Sequence, residues 1–350
     1  MGREPITRRA FLVSAVPVTV LVGHGCSSPE PAAPAEPVDA STPTAPVRVK
    51  LTAALGAGAL CVTDWIVARE RGFFADEGLE VEFLPHASGA ADFTTAQHHE
   101  GPIQADIGVA EYAHLVRHVS DEATHYVVAG EHSGCLQLIA PVDSPAETIA
   151  DLKGKRIGRT VNYDTLQWEF LARQAGLAPA DLTWVVYEFS YSELQQLVID
   201  EFAAGRVDAF VTPDPIPEVL KAQGVAKSIA SNTWTEPLSN MYCCMLVVKR
   251  ELHDQVPGLS EAFVRAIRRG TAVIENDPAE AVRIAVEAGH LSPQIDREIA
   301  ARLLGEYVWT NTGRIEQDLE RYFEMLIAYG RIQTTASPQE LVQRVYRGVE

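Results

Sequence analysis

The sequence has few cysteines and few basic residues, and each shortage excludes a class of protein. Five cysteines occur in 350 residues, and no two of them have the spacing of a CxxC pair. The standard zinc-binding and thioredoxin-like motifs are therefore absent. Lysine and arginine number 29 against 47 acidic residues, so the formal net charge is −18. An acidic surface of this kind argues against a nucleic-acid partner.

Long hydrophobic runs and paired catalytic side chains are missing as well. After residue 47, no apolar run is long enough to span a membrane as a helix. No nucleophile–base pair and no pair of acid/base carboxylates stands out, so the sequence gives no direct support to an enzyme. The hydrophobic content of 47% is nevertheless that of a globular protein.

The first 26 residues have the pattern of an export signal. A charged leader precedes an apolar run at residues 10–22, which is too short for a stable transmembrane helix. Arg8 and Arg9 fit the twin-arginine type of signal, which exports proteins that have already folded. We therefore expect the folded part of the chain to lie outside the cytoplasm.

Cys26 ends this signal at the place of the cysteine that bacterial lipoproteins acylate. The match is incomplete, because Gly23 stands where those proteins usually carry leucine. We expect a lipid anchor at Cys26 to the outer face of the membrane, and an unmodified linker cysteine is the alternative. Residues 27–46 are rich in proline and alanine, which predicts a disordered tether.

The remaining part, about 300 residues, is long enough for two lobes with cores of their own. Segments with strand patterns alternate with helical ones, which predicts an α/β fold with mostly parallel sheets. From residue 258 onward the pattern is almost entirely helical. Strands are predicted at 47–55, 79–86, 105–110, 125–130, 135–141, 151–160, 182–189 and 207–212.

Four segments, in their order and spacing, carry a resemblance to a known family. They read DWIVARERGFFADEGLEVEF, ADIGVAEYA, DLKGKRIG and GRVDAFVTPDP. Together they resemble the solute-binding proteins of ABC importers, in the branch that covers nitrate, sulfonate, bicarbonate and thiamine-pyrimidine ligands. The resemblance spans roughly residues 47–330.

The resemblance implies a two-lobed periplasmic-binding-protein fold of type II, with a helical C-terminal region. Two crossover strands would join the lobes, and hinge closure would trap a ligand between them. Lobe one would then comprise residues 47–137 and 240–350, and lobe two residues 138–239. The crossover strands would be GCLQLIAPVDSP and NMYCCMLVVKR.

The resemblance also implies a function and partners. The chain would be a monomeric receptor that captures a small solute and delivers it to the transmembrane subunits of an ABC permease. It would be neither an enzyme nor a cofactor-binding protein. The predicted cleft has several tyrosines and few basic residues, with Arg159 the nearest candidate. This favours a neutral or heterocyclic solute over a small anion, which needs positive charge or N–H donors.

Residues that contact the ligand are expected at the carboxyl ends of strands, where ligands of open α/β sheets bind. For Asp214 the family supplies a further reason, because an acidic residue of this turn often meets the ligand. A helix cap, a turn or simple packing is the alternative for each candidate. The candidates are Leu60, Cys61, Asp64, Ser88, Gly89, Glu111, Tyr112, His132, Cys135, Asn162, Tyr163, Tyr187, Asp214, Tyr242 and Cys243.

Three cysteines fall on the two predicted crossover strands. If these strands pair, Cys135 lies within disulfide reach of Cys243 or Cys244. Successive side chains of a strand point to opposite faces, so only one of the adjacent pair should face the cleft. A disulfide between the two neighbours is disfavoured, because its small ring distorts the peptide bond.

Two other functions remain open at this stage. Cys61, His132, Cys135 and Cys243 would suit a soft metal or metalloid, although they come from distant segments. Part of the family resembles pyrimidine synthases with a dense cysteine cluster. Here that likeness stops at two adjacent cysteines, and an export signal does not fit a cytosolic biosynthetic enzyme.

Overall fold

Two separate five-stranded sheets form the framework of the protein in a computed structural model. Helices accompany both sheets and make up the C-terminal region, so the predicted α/β fold class is confirmed. Within the part described, no helix has the length and apolar composition that a membrane crossing requires. The described residues are 49–55, 58–84, 105–111, 124–160, 165–187, 193–309 and 314–349.

The first sheet has the strand order β2-β1-β3-β10-β4. Its outer strand β2 alternates between buried and exposed residues, as a half-buried edge strand does. Its inner strand β10 is an almost continuous apolar run, because both of its faces are covered. β10 runs antiparallel to β3 and β4, while β1 is parallel to β2 and β3. The strands are β1 (Val49–Ala54), β2 (Leu79–Phe83), β3 (Ile107–Glu111), β4 (His125–His132) and β10 (Cys244–Lys249).

The second sheet has the order β7-β6-β8-β5-β9. β6 is parallel to β7 and β8, and β5 is antiparallel to β8 and β9. The sequence did not predict β9, whose segment AKSIAS mixes small, polar and charged residues. The strands are β5 (Leu136–Pro141), β6 (Lys155–Thr160), β7 (Leu182–Tyr187), β8 (Ala209–Pro213) and β9 (Ala226–Ser231).

The helices of the C-terminal region pack against the first sheet and against one another. The longest, α7, approaches α1 closely because its Gly270 has no side chain. A Cβ atom at Gly270 would lie 2.2 Å from the carbonyl oxygen of Asp64. In chain order the helices are α1 (Thr63–Glu70), α2 (Phe73–Asp76), α3 (Leu166–Gln174), α4 (Leu194–Ala203), α5 (Ile216–Ala222), α6 (Arg250–Gln255), α7 (Leu259–Asn276), α8 (Pro278–Glu287), α9 (Arg297–Glu306), α10 (Ile315–Ala328) and α11 (Pro338–Val345).

The chain passes between the two sheets twice. Residues 133–135 connect β4 to β5, and residues 232–243 connect β9 to β10. We call these the first and second crossing segments. The prediction that two crossover strands pair is wrong, because β5 and β10 belong to different sheets and each pairs within its own. The predicted lobe boundaries remain a prediction.

Candidate functional site

The four described cysteines meet where the chain crosses between the sheets. Cys61 lies in a short 3-10 turn after β1, and Cys135 ends the first crossing segment. Cys243 ends the second crossing segment, and Cys244 begins β10. His132, the last residue of β4, stands opposite Cys244 in the sheet register. Three separate stretches of sequence, at residues 61, 132–135 and 243–244, therefore bring thiols and an imidazole to one place.

Short distances connect the members of this group, which we call the thiol cluster. The sulfur atoms of Cys135 and Cys243 lie 3.6 Å apart without forming a disulfide. The predicted proximity of Cys135 to the adjacent cysteines is thus confirmed. The donor atoms of Cys61, His132 and Cys135 all lie within 4.8 Å of one another, as do the sulfurs of Cys135, Cys243 and Cys244.

The prediction that Cys243 and Cys244 point to opposite faces is wrong. It assumed that both residues lie in a regular strand, but β10 begins only at Cys244. Cys243 precedes the strand, and its N–H donates a hydrogen bond to the carbonyl oxygen of His132 at 2.9 Å. Strand alternation does not apply across this boundary, so both sulfurs reach the same cluster.

Cys135 enters the cluster from an unusual backbone conformation. Its φ is 96°, and the preceding Gly134 has a φ of 91°. A residue with a side chain in such a conformation costs about 1–3 kcal/mol, and it persists only where its surroundings hold it. The carbonyl oxygen of Cys135 accepts a hydrogen bond from the N–H of Asp214 at 2.9 Å, which fixes the first crossing segment against β8.

Asn232 ties the second crossing segment to the same cluster. Its side-chain Nδ2 donates to the sulfur of Cys243 at 3.2 Å. Its Oδ1 accepts a hydrogen bond from the backbone N–H of Leu136 at 2.8 Å. The buried amide of Asn232 therefore connects Cys243, in the second crossing segment, with Leu136, the first residue of β5.

His132 is fully buried between aromatic rings. It stacks on Tyr307 with ring centroids 5.4 Å apart, and Trp309 packs at 5.3 Å. Burial alone would lower the pKa of His132, but the neighbouring Cys61 sulfur and the Glu131 carboxylate raise this pKa to about 10. In the cluster the imidazole thus favours its charged form.

Two buried carboxyl groups flank the thiols. Glu131 Oε1 accepts a hydrogen bond from the indole N–H of Trp65 at 2.6 Å. Asp64 Oδ1 accepts one from the backbone N–H of Trp65 at 2.9 Å. Burial raises the pKa of Asp64 to about 7, and burial next to Asp64 raises the pKa of Glu131 well above its usual range.

The thiols differ in acidity within the cluster. Interaction with the Cys135 thiol lowers the pKa of Cys61 and of Cys243 well below the usual value, against the effect of burial. Hydrogen bonding with Cys243 and Cys244 raises the pKa of Cys135. Cys61 and Cys243 are therefore the members most ready to act as thiolates.

Asp214 lies next to this site, at the carboxyl end of β8. Its carboxyl oxygens accept hydrogen bonds from Gln137 Nε2 and from the hydroxyl of Tyr307, both at 3.0 Å. Because Tyr307 also stacks on His132, a continuous set of contacts runs from Asp214 to the thiol cluster. Burial raises the pKa of Asp214 to about 7.

Three other predicted ligand residues take part in packing within the protein. Tyr187 stacks on Phe210 in the second sheet and donates to Glu201 at 2.6 Å, so it belongs to that packing. Tyr242 packs its ring against Gly130 of β4. Leu60 is fully buried beside Cys61.

For the remaining candidates the structure gives little or nothing. Glu111 is described by its backbone alone, which pairs with Cys244 in the first sheet. The following residues lie outside the described part of the chain: Cys26, Ser88, Gly89, Tyr112, Asn162 and Tyr163.

Several residues of this region were not singled out from the sequence. Glu131 reads as an ordinary strand residue, and Tyr307 and Trp309 lie in a segment with a helical pattern. Asn232 belongs to a segment with no motif. For Glu131, the one available signal was a carboxylate directly after the apolar run VVAG of its strand, since such residues are seldom fully buried without a partner.

A family comparison covers most of the site. Residues 61–281 match the family described as NMT1/THI5 like, and all five members of the thiol cluster lie in that range. A curated relative is the 4-amino-5-hydroxymethyl-2-methylpyrimidine phosphate synthase of Saccharomyces cerevisiae. It is 22% identical over 243 residues, which cover 67% of this chain and 68% of the relative.

Two solved structures share the architecture. The alkanesulfonate-binding protein SsuA of Xanthomonas axonopodis pv. citri has a TM-score of 0.65 and 16% identity, and the alignment covers 87% of this chain and 99% of that one. The nitrate-binding protein NrtA of Synechocystis PCC 6803 has a TM-score of 0.65, 13% identity and 87% coverage of both chains. At these identities the likeness establishes the fold.

Proposed function

The chain belongs to the NMT1/THI5-like family, and from this premise we propose that it is an extracytoplasmic solute-binding receptor of an ABC importer. The observation that carries the proposal is the double passage of the chain between two sheets. Two short connections let two bodies close around a ligand while the connections absorb the change in backbone angles. The export signal of the sequence supports the location.

The chemistry beside the crossing segments favours a neutral or heterocyclic solute. Asp64, Glu131 and Asp214 are buried there, and carboxyl groups do not stabilise nitrate or a sulfonate. A heterocycle with N–H groups can instead donate hydrogen bonds to carboxyl oxygens, and aromatic side chains offer stacking faces. The solute class of the receptor is therefore proposed to be a small nitrogen heterocycle.

Binding measurements on the full chain test this proposal. Thermal shift and native mass spectrometry would compare pyrimidine heterocycles with nitrate and alkanesulfonates at matched concentrations. The expected result is a rise in Tm and a 1:1 complex with at least one heterocycle. Binding of the anions alone would overturn the solute class, and no binding in either set would count against the receptor.

A pair of matched variants connects the solute to the crossing region. Asp214 follows β8, whereas Asp208 precedes the same strand and pairs with Arg156 at the surface. Asp214→Asn should weaken binding about tenfold or more, since buried hydrogen-bonding groups of a site discriminate strongly. Asp208→Asn should leave the affinity unchanged. Equal effects of the two variants would contradict a ligand role for Asp214.

The membrane partners of the receptor are part of the same proposal. A lipid on Cys26 would hold the protein at the outer face of the membrane, next to the permease subunits that receive the solute. Cell fractionation should find the wild-type chain with membranes and the variant Cys26→Ala in the soluble extracytoplasmic fraction. Soluble wild-type protein would overturn the anchor but not the receptor.

An enzyme is the second candidate, and the thiol cluster is the observation that favours it. The S. cerevisiae relative is named as a pyrimidine phosphate synthase, and the matching range here contains the clustered thiols and His132. Incubation of the chain with a bound heterocycle, followed by mass spectrometry of the small molecules, separates the two. A receptor returns the compound unchanged, whereas conversion would replace the receptor proposal.

A further inference from the structure

The thiol cluster uses all four cysteines of the described residues. They reach one place from positions 61, 135 and 243–244, and the structure leaves each as a free thiol. Cys135, Cys243 and Cys244 are buried, and Cys61 is half-buried. Binding a small solute does not require four cysteines in one place, so the cluster needs a separate explanation.

The distances in the cluster match those between the ligands of one metal ion. Zn–S bonds of about 2.3 Å place the sulfurs of a tetrahedral site about 3.8 Å apart. The Cys135 and Cys243 sulfurs are separated by 3.6 Å, and the Cys244 sulfur lies within 4.8 Å of both. Cys135 also belongs to the group formed with Cys61 and His132, so it stands at the centre of the donor set.

Two buried polar atoms at the cluster that lack hydrogen-bond partners in the described part of the chain provide an independent observation. Nε2 of His132 and Oε2 of Glu131 are fully buried and have no hydrogen-bond partner among the described residues. They lie 3.9 Å apart. One ligand atom from each of Glu131 and His132, together with the Cys244 sulfur, forms a third group whose atoms lie within 4.8 Å of one another. An unsatisfied buried donor or acceptor is costly unless something binds it.

We propose that Cys61, His132, Cys135, Cys243 and Cys244 form a binding site for one thiophilic metal ion of the zinc and copper(I) class. Thiolates and imidazole select such ions, whereas Mg²⁺ and Ca²⁺ require oxygen ligands. The ion would have four or fewer of these side chains as direct ligands, with Cys135 and Cys243 among them. The proposal goes beyond the receptor function and does not depend on it.

Neighbouring residues hold the cluster side chains in position by hydrogen bonding and packing, as the residues around metal ligands do. Asn232 donates to the Cys243 sulfur, and the aromatic rings of Tyr307 and Trp309 hold the imidazole in place. Because the ligands come from both crossing segments and from the end of β4, a bound ion would link these connections. It would thereby stiffen the hinge between the two sheets.

Metal titration of the full chain tests the site directly. The chain would be purified in a mild detergent under argon with a reductant, stripped with a chelator, and titrated with Zn²⁺ against a chromophoric competitor. The expected result is one Zn²⁺ per chain with submicromolar affinity. Co²⁺ in place of Zn²⁺ should give a sulfur-to-cobalt charge-transfer band, and a parallel titration with Cu(I) shows which ion of the class binds more tightly.

Variants of the cluster and one matched control identify the ligands. Cys135→Ser combined with Cys243→Ser should lower Zn²⁺ affinity at least about 100-fold, because changes around metal ligands alone cost about 10–100-fold. His132→Gln should abolish or shift the cobalt band. Cys26→Ser removes the one cysteine outside the cluster and should change nothing. Circular dichroism of each variant shows whether it has folded.

Thiol protection in the wild-type chain gives a test that needs no variant. Bound Zn²⁺ should slow the alkylation of Cys135, Cys243 and Cys244 by iodoacetamide, as measured by peptide mass mapping, whereas Mg²⁺ at the same concentration should leave it unchanged. The proposal is overturned if the reduced chain binds no Zn²⁺ at micromolar concentrations. It is overturned equally if the double variant binds as tightly as the wild type. Since no solute is present, neither outcome bears on the receptor.

Discussion

The carboxyl group of Asp214 illustrates how a single buried residue makes stability depend on pH. It is 2% exposed, and Glu218 lies close enough to oppose its ionisation. Burial raises its pKa from 3.8 to about 7 in the folded chain. Between these values the folded chain holds a proton that the unfolded chain has lost. The stabilisation is therefore complete below about pH 4 and is lost as the pH rises to about 7.

We expect Asp214→Asn to remove this dependence. The free energy of unfolding of the wild type should fall between pH 4 and pH 7 by up to about 1.4 kcal/mol per pH unit relative to the variant. Urea denaturation at pH 4, 5, 6 and 7 measures the difference. Asp208→Asn is the control, because the pKa of Asp208 is lowered and its effect has the opposite sign. If the free energy of unfolding changed with pH in the same way in the wild type and in Asp214→Asn, the argument would be contradicted.

The contact between Cys135 and Cys243 predicts a specific oxidation product. Their sulfurs need to approach from 3.6 Å to a bonding distance of about 2.0 Å. Diamide would take two electrons and two protons from the two thiols and leave one disulfide. Peptide mapping should find the Cys135–Cys243 link in the wild type and in Cys244→Ser. A dominant Cys243–Cys244 link, or none, would show that the observed contact does not direct the oxidation.

At the residue scale the sequence predicted some of this site and missed the rest for physical reasons. The family resemblance placed Cys135 and Cys243 on connected crossing elements, and their proximity is confirmed. The opposite orientation of Cys243 and Cys244 was wrong, because a sequence pattern does not show where a strand begins. Glu131 was missed because two properties make it notable, its burial and an oxygen without a hydrogen-bond partner among the described residues, and only the tertiary structure reveals them.

A glycine of strand β4 packs closely against an aromatic ring of the second crossing segment. Gly130 of β4 faces the ring of Tyr242, and a Cβ atom there would lie within 2.5 Å of several ring atoms. The backbone of Tyr242 is held by α10, because its N–H donates to Asp318 and its carbonyl oxygen accepts from Tyr322. The ring therefore has little freedom to withdraw from β4.

Gly130→Ala should consequently destabilise the protein by about 1–3 kcal/mol, as overpacking does. Gly305→Ala is the matched control, because Gly305 lies in α9 with its nearest neighbour 3.5 Å away. Alanine there should stabilise the helix by about 0.5–1 kcal/mol. Urea denaturation measures both variants. Adding Tyr242→Leu to Gly130→Ala should restore part of the loss, and an unchanged deficit would rule out the ring contact as its cause.

At the element scale the alternation of strands and helices was sufficient to predict two α/β bodies and a helical C-terminal region. Strand β9 escaped prediction because Lys227, Ser228 and Ser231 break both the apolar run and the strict alternation. It forms because β5 pairs with it from Gln137 to Pro141, with one irregularity in the register. Pairing with β5 thus stabilises a strand that the local sequence does not favour.

At the scale of the whole molecule, two surface ion pairs connect the C-terminal helices with helices of the second sheet. Arg302 of α9 bonds Glu218 of α5 at 2.8 Å, and Arg331, just after α10, bonds Glu169 of α3 at 2.9 Å. Both arginines are partly exposed, so each pair contributes at most about 1 kcal/mol. Their position between the two bodies, rather than their strength, makes them relevant to closure.

The double variant Arg302→Gln with Arg331→Gln should shift the molecule toward a more open arrangement. If the ion pairs stabilise the closed arrangement by about 1 kcal/mol, their removal would raise the population of the open arrangement roughly fivefold. Hydrogen exchange followed by mass spectrometry should then show faster exchange at the crossing segments, residues 133–135 and 232–243. If the two bodies open and close as proposed, these connections change conformation when the sheets separate, and their amide hydrogen bonds break at that moment.

Arg283→Gln provides the matched control for this experiment. Arg283 pairs with Glu280 and Glu287 within its own helix α8, so its loss removes ion pairs of similar exposure without affecting the contact between the bodies. Exchange at the crossing segments should remain at the wild-type rate in this variant. Equal acceleration in both variants would mean that loss of surface charge, and not release of the two bodies, controls these amides. The crossing segments would then have no hinge function for the ion pairs to regulate.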